Sequence, residues 1–409
     1  MKNTEFIQKK EVEHSFLLLG IGSLLPWSAI LSQLDFFMTY QKDYHPEIIF
    51  GNINFFINLT LQFILLTTKK KFTYKTLFLF SLWGYMFSLI TLPISTIYFS
   101  SDLGFKICCA IIFINGFCNA VISNSMYGLV SFFSLEYVVA LGTGQGISGV
   151  LMTIIRYALL LFIDEKKGLN FGAYLYFGIS ALIILFVIRQ IMILYKNPIF
   201  ISKLKEIGEI KSDEGKEKKD NKLIEKKQEE KIHNKGKGLL FLIIKIFDIN
   251  LMIILCYTIS IGLFPGACIK PRLFGLSPGW KINTIIYFYD ILDTLGRKLI
   301  GYIKKPAKWQ LTLTTILRFG FLCSFPFVIY LDKYNIINRN LIGVLSILNT
   351  SLMAFTNGIA NNLCFSLAPE QVEGELKAKA GSSVSFCLAI GLFIGSFLAN
   401  VIDKFTNNI

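Results

Sequence analysis

The sequence predicts an all-α, polytopic membrane protein, because it is apolar, poor in charge and divided into long hydrophobic segments. Of its 409 residues, 53% are hydrophobic and only 17% are charged. A soluble chain usually carries about a quarter charged residues. The mean hydropathy is +0.56, so we expect lipid rather than water around much of the surface.

The apolar segments are long enough to cross a membrane as helices. A bilayer core of about 30 Å needs roughly 20 apolar residues per helix. This length predicts about eleven transmembrane helices, at 15–38, 47–68, 74–99, 105–131, 136–163, 171–195, 239–268, 281–303, 309–331, 340–366 and 379–402.

A charged segment after the sixth span divides the chain into a six-helix and a five-helix bundle. It contains the run DEGKEKKDNKLIEKKQEEK, which is too polar to fold alone and predicts a flexible, partly helical linker. The predicted organisation is an N-terminal segment 1–14, a six-helix bundle 15–195, a linker 196–238, a five-helix bundle 239–402 and a C-terminal tail 403–409.

Lys and Arg near the span ends predict the orientation. Residues 69–71, the linker and the group from Arg297 to Lys308 fall on one side, whereas Asp102 and Asp403 fall on the other. The positive-inside rule then places the N-terminus and the linker in the cytosol and the C-terminus outside, with the connection between spans seven and eight as an exception. The net charge of +14 is thus scattered, which argues against a nucleic-acid partner.

Cysteine and histidine usage gives no sign of a metal site or of catalysis. The eight Cys lie within or beside apolar segments without a CxxC pair, and the three His are isolated. We therefore expect no structural disulfide, metal ion or cofactor, and no catalytic residue, because no nucleophile has a nearby base. An enzyme is not predicted.

The eighth span carries three ionisable residues, which are costly in lipid and usually face a cavity. Asp290 precedes Asp293 by three residues and Arg297 follows it by four, so all three are expected on one helix face. Gly296 would let a neighbouring helix or a substrate approach. The spacing indicates a polar substrate pathway; the alternative is a structural salt bridge.

Three further segments are typical of functional membrane helices. Pro26 interrupts the hydrogen bonds of span one, and Trp27 follows it at mid-span, where it would stack on a planar substrate or serve as an interfacial anchor. Gln145 lies in the glycine-rich LGTGQGISG of span five, which favours tight helix packing. Pro265 and Gly266 end span seven as a candidate hinge.

Five motifs in order make the chain resemble the equilibrative nucleoside transporter family. They are LLPWSAI, GQGISG, LFPG, DILDTLGR, and TNG followed by APEQVEGELKAKAG. The resemblance covers nearly the whole chain. It implies a major-facilitator-like fold in a 6+5 arrangement, with a nucleoside, or in some members a nucleobase, held between the halves and carried down its gradient.

The resemblance also implies roles for individual residues. Asp293 and Arg297 would hydrogen-bond the ribose or the base, and Trp27 would pack on the substrate beside Leu24. Gln145 and the neighbouring Gly146 would serve helix packing rather than direct contact.

The sequence departs from the family pattern at base-contact positions. Ser28 follows the Pro-Trp pair where Asn is usual, and the family's Gln of span four falls on Ser123. Asn119 or Asn124 would substitute for that amide. Asp290 stands where an amide is typical.

These observations predict a facilitative carrier of purine nucleosides in the plasma membrane that works by alternating access. One alternative is a proton-coupled carrier of another polar solute on the same scaffold. Asp290 motivates it, because a carboxylate that exchanges a proton during the cycle would couple transport to protons. The opposing interpretation is that Arg297 and water keep both carboxylates ionised. A transport-inactive sensor or scaffold is the remaining alternative.

Overall fold

The computed structural model describes residues 2–68, 72–163, 168–210, 238–303 and 306–408, and every regular element within these ranges is helical. The N-terminal helices are α1 Lys2–Ser32, α2 Leu34–Tyr40, α3 Pro46–Thr67, α4 Tyr74–Tyr98, α5 Ser101–Val130, α6 Leu135–Phe162, α7 Leu169–Leu194 and α8 Pro198–Glu206. The C-terminal helices are α9 Gly238–Lys245, α10 Phe247–Leu263, α11 Pro278–Leu299, α12 Lys308–Arg318, α13 Phe321–Lys333, α14 Arg339–Glu370 and α15 Leu376–Asn408. Lys42–Tyr44 and Ile300–Tyr302 form short 3-10 turns.

Nine helical segments of the described chain are long and apolar enough to cross a membrane. They correspond to the predicted spans except the seventh and the eighth. The seventh is divided, because α9 and α10 are separate helices and α10 has only 17 residues. The eighth, α11, is less apolar because it carries the charges that mark the candidate site. The count of eleven spans remains a prediction.

Two other predicted spans are interrupted. Span one breaks at Gln33, between α1 and α2, and span nine breaks at Phe319 and Gly320, between α12 and α13. Span one also starts earlier than predicted. Helix α1 begins at Lys2 and therefore runs through most of the predicted N-terminal segment 1–14.

The first part of the predicted linker folds onto the N-terminal bundle as α8. The Asn197 side chain caps it by accepting from the Phe200 amide at 3.3 Å, and Phe200 is buried against the ring of Phe16. The charged run of the linker lies within 211–237, outside the described residues, as do 69–71, 164–167 and 304–305.

Small residues bring the central helices close together. A Cβ on Gly144 would lie 1.9 Å from the Leu17 carbonyl oxygen of α1. Gly146 faces Thr294 of α11 across the boundary between the two halves, and a Cβ there would lie 2.4 Å from the Thr294 hydroxyl oxygen. Because these glycines have no side chain, the backbones of neighbouring helices can approach closely.

Close packing at glycines also joins α11 to α14. A Cβ on Gly296 would lie 2.2 Å from the Phe355 carbonyl oxygen, and one on Gly358 would lie 2.0 Å from the Asp293 carbonyl oxygen. The charged segment of α11 is therefore enclosed by α6 of the first half and α14 of the second.

Candidate functional site

A buried ion pair lies on α11, between α6 and α14. The Arg297 Nε donates to the Asp293 Oδ2 at 2.6 Å, and the two residues are 4% and 5% exposed. The spacing of four residues on α11 places the two side chains one turn apart. The pairing predicted from sequence is therefore present in the structure.

Arg297 extends this pair to the N-terminal half. Its Nη1 donates to the Gln145 Oε1 at 3.0 Å and to the Gly142 carbonyl oxygen at 3.3 Å, both on α6. Its Nη2 lies 3.5 Å from the Tyr257 hydroxyl of α10. One guanidinium thus connects helices of both halves.

The side chain of Gln145 contacts the pair directly, which goes beyond the packing role expected from sequence. Its Oε1 also accepts from the Tyr127 hydroxyl at 2.6 Å, and its Nε2 donates to the Ser23 hydroxyl of α1 at 3.4 Å. The glycines around Gln145 provide the close packing, so the amide itself is available to organise Arg297.

The C-terminal half supplies three asparagines from α14. The Asn357 Nδ2 donates to the Asp293 Oδ1 at 2.8 Å, and the Asn362 Nδ2 donates to the Arg297 carbonyl oxygen at 2.9 Å. Asn361 accepts from the Tyr257 hydroxyl at 2.7 Å. Sequence reasoning missed these residues, although Asn357 belongs to the TNG motif.

Asp290 does not share the environment of Asp293. Residues three apart on a helix are rotated by about 60°, and this offset turns the two carboxylates to different neighbours. Asp290 accepts from the Thr153 hydroxyl of α6 at 3.2 Å, whereas Asp293 faces α14. Among the described residues, Asp290 has no salt bridge. The three groups lie on one side of α11, as their spacing predicts, but Asp290 has hydrogen-bond partners different from those of Asp293 and Arg297.

Helix α1 contributes Ser23 to the polar centre and carries an aromatic residue one turn further along. Ser23, which bonds Gln145, directly precedes Leu24, and both Leu24 and Trp27 are partly exposed. The Trp27 ring lies 5.4 Å from the Phe55 ring, centroid to centroid. Pro26 is accommodated within the continuous helix.

The predicted base-contact residues of α5 face in two directions. The Ser123 hydroxyl donates to the Asn119 Oδ1 at 3.1 Å, and both residues are partly exposed. The Asn124 Oδ1 instead lies 3.4 Å from the Ser382 hydroxyl of α15. Asn124 is therefore engaged at the contact between α5 and α15.

The Pro265 and Gly266 pair follows the end of α10. A Cβ on Gly266 would meet no atom within 4 Å, so this glycine is not required for packing. A hinge at this position stays a prediction.

A second ion pair, with a buried arginine, lies within the N-terminal half and was not singled out from the sequence. The Arg156 Nη2 of α6 donates to the Asp35 Oδ2 of α2. The Arg156 Nε is buried without a hydrogen-bond partner in the described structure. This pair holds the short helix after the break in span one against α6.

The fold is shared with solved transporters. The MFS (major facilitator superfamily) proton:xylose symporter XylE superposes with a TM-score of 0.66 at 13% identity, covering 98% of this chain and 89% of that one. The human organic anion transporter MFSD10 gives a TM-score of 0.59 at 11% identity, covering 97% and 93%. The chain therefore has the major-facilitator fold.

The sequence comparisons identify the family. The model of the nucleoside transporter family matches residues 108–404. Equilibrative nucleotide transporter 7 of Arabidopsis thaliana is 24% identical over 401 residues, covering 92% of this chain and 91% of the relative. Equilibrative nucleoside transporter 2 of Rattus norvegicus is 24% identical over 445 residues, covering 94% and 95%. The chain belongs to the nucleoside transporter family: it is a multi-pass membrane transporter, not an enzyme.

Proposed function

We propose that this chain carries nucleosides, and purine nucleosides in particular, down their gradient, with Asp293 and Arg297 as the centre of the binding site. The observation that carries this proposal is the position of the ion pair. It is buried between the halves and hydrogen-bonded to Gln145 of one half and Asn357 of the other.

The chemistry of the pair suits a ribose. A carboxylate accepts from hydroxyl groups and a guanidinium donates to hydroxyl or base oxygens, and ionic partners make these bonds stronger than neutral ones. Asn357 and Gln145 hold the pair in a set orientation. A solute without matching hydroxyls would leave these buried groups unpaired, which is the basis of strong rejection.

The charge balance favours an uncharged substrate. At the centre of the site the buried charges are those of Asp293 and Arg297, one acid and one base that pair with each other. Their charges sum to zero, so a phosphate would add an unpaired negative charge to a buried site. This supports a nucleoside over a nucleotide, although relatives carry either word in their names.

Trp27 supports recognition of the planar base. It is partly exposed, next to a second ring at Phe55 and one turn beyond Leu24. Offset or edge contacts between aromatic rings stabilise by about 0.5–1.5 kcal/mol beyond burial. A nucleobase alone would use this aromatic site but not the ribose contacts, so we expect it to bind more weakly.

Transport would follow from rocking of the two halves around this site. Arg297 would exchange its α6 acceptors as the halves separate, and Pro265 with Gly266 would serve as a hinge. The distribution of Lys and Arg supports an N-terminus and a 196–238 linker in the cytosol. The plasma membrane is the membrane that we propose.

Uptake by the purified protein in liposomes tests the proposal. We expect uptake of labelled adenosine and inosine to be competed by unlabelled nucleosides, less by adenine, and not by AMP, xylose or amino acids. Competition by sugars or amino acids in place of nucleosides would indicate a carrier of another solute. No uptake of any solute would favour the sensor or scaffold interpretation.

A further inference from the structure

A second arginine is buried behind the ion pair. Arg318, the last residue of α12, is 0% exposed. A charge inside a membrane helix bundle is costly and is usually paired. Within the described chain Arg318 forms no salt bridge, so its charge is met by neutral oxygen atoms.

These oxygen atoms belong to the two helices that carry the C-terminal side of the site. Its Nη1 donates to the Met353 carbonyl oxygen of α14 at 2.7 Å, and its Nη2 donates to the Cys256 carbonyl oxygen of α10 at 3.2 Å. Its Nη2 also donates to the Ser260 hydroxyl. Arg318 therefore joins α10 to α14 next to the residues that support Asp293.

The TNG motif explains how this connection reaches the site. The Thr356 hydroxyl accepts from the Arg318 Nη1 at 2.9 Å. The Asn357 Oδ1 lies 3.5 Å from the Arg318 Nη2 and 2.7 Å from the Ser260 hydroxyl. Gly358 brings α14 against the backbone of Asp293. Each of the three residues thus contacts either Arg318 or Asp293.

Arg318 decides which way the Asn357 amide points. The amide has an acceptor at one end and donors at the other. The guanidinium favours oxygen on its side, and so does the Ser260 hydroxyl, which accepts from Arg318 and whose proton has the Asn357 Oδ1 at 2.7 Å and the Cys256 carbonyl oxygen at 2.9 Å as acceptors. The nitrogen is then directed to the Asp293 Oδ1. A flipped amide would place its NH2 group against a cation and its oxygen against a carboxylate.

We propose that Arg318 is a positioning residue for nucleoside binding: through Ser260 and Asn357 it orients the Asp293 carboxylate that receives the substrate. The inference rests on the proposed role of Asp293 and assigns Arg318 no contact with the substrate. Asn357 holds the Oδ1 and Arg297 holds the Oδ2, so the remaining lone pairs keep a set direction.

The test is adenosine uptake kinetics in liposomes for Arg318→Lys, Asn357→Ala and the double variant, per amount of folded protein. Lysine has one nitrogen and cannot span the acceptors on both helices. We expect Arg318→Lys to raise KM about tenfold with Vmax within about twofold, the split that indicates lost binding. Because both changes break one connection, we expect the double variant to be no worse than Asn357→Ala.

Arg156→Lys is the matched control, since it changes another buried arginine that has no contact with α14. We expect its KM to stay within about twofold of wild type. If Arg318→Lys does not fold, Ser260→Ala decides, because it breaks the same connection and leaves the guanidinium in place; we expect a KM increase of about threefold to fivefold.

A wild-type KM in Arg318→Lys would overturn the inference. The same holds for Ser260→Ala if Arg318→Lys does not fold. A double variant whose KM increase combines the increases of the two single variants would also overturn it. These outcomes differ from failure of the proposed function. In that case the wild-type protein itself would show no nucleoside uptake.

Discussion

Two arginine–aspartate pairs with a buried arginine differ in what surrounds them. In the Arg297–Asp293 pair the side chains are 5% and 7% exposed, and both residues have further partners. In the Arg156–Asp35 pair the arginine side chain is 6% exposed but the aspartate is 32% exposed. The first pair connects the two halves of the molecule, whereas the second joins α6 to α2 within one half.

This difference shows that burial of a charge is not enough to mark a site. The Arg156 pair would move as one body with its half, so its contacts need not change during transport. The contacts of Arg297 to Gln145 and Gly142 cross the boundary between the halves, so relative motion of the halves must alter them. A substrate that replaces these contacts would therefore be coupled to the motion.

The same substitution in both pairs should separate their roles most strongly. We expect Arg297→Gln to lower Vmax/KM for adenosine by at least about 100-fold, since removing one partner of a buried pair costs roughly 3–5 kcal/mol. Arg156→Gln should mainly lower thermal stability and leave KM near wild type. Uptake kinetics with thermal unfolding of the detergent-purified variants measures both effects.

Equal losses of uptake in these two variants would show that both pairs have a structural role only. Full uptake by Arg297→Gln would show that the pair does not bind the substrate, and would favour a different binding region.

Close packing behind the first pair gives a second, smaller prediction. Gly358→Ala would place a Cβ 2.0 Å from the Asp293 carbonyl oxygen, and such overpacking typically costs about 1–3 kcal/mol. We expect a lower unfolding temperature and a KM for adenosine raised several-fold. Gly178→Ala is the control, because a Cβ there meets no atom within 4 Å. Similar behaviour of the two variants would show that the contact between α11 and α14 does not position Asp293.

The smallest expected effect concerns Asp290. It hydrogen-bonds Thr153 and lies outside the hydrogen bonds of the Asp293–Arg297 pair, so we expect wild type and Asp290→Asn to respond equally to an imposed pH gradient in uptake assays. A response to the gradient in wild type that is lost in Asp290→Asn would contradict this and indicate a proton-coupled carrier.

Local spacing made part of the site predictable. Asp293 and Arg297 are four residues apart on one helix, so their pairing follows from helix geometry alone. The glycines of α6 were likewise readable as packing residues, because four of them recur within eight positions, from Gly142 to Gly149.

Distant contacts were not predictable in this way. Arg318 lies 62 positions from Cys256 and 35 from Met353 along the chain, and no periodicity relates them. The side on which Asp290 faces depended on where α6 and α14 lie around α11. Gln145 was assigned to packing because its neighbours are glycines, and only the structure placed its amide on Arg297.

By itself the sequence determined that this protein is a helical membrane protein, because hydropathy and helix length are local properties that the bilayer imposes on each segment. It also placed an acidic and a basic residue one turn apart in α11. The tertiary structure decided which helices surround that pair, since close approach at glycines brings together α6, α11 and α14 from distant parts of the chain. That approach turned a local ion pair into one hydrogen-bonded to both halves.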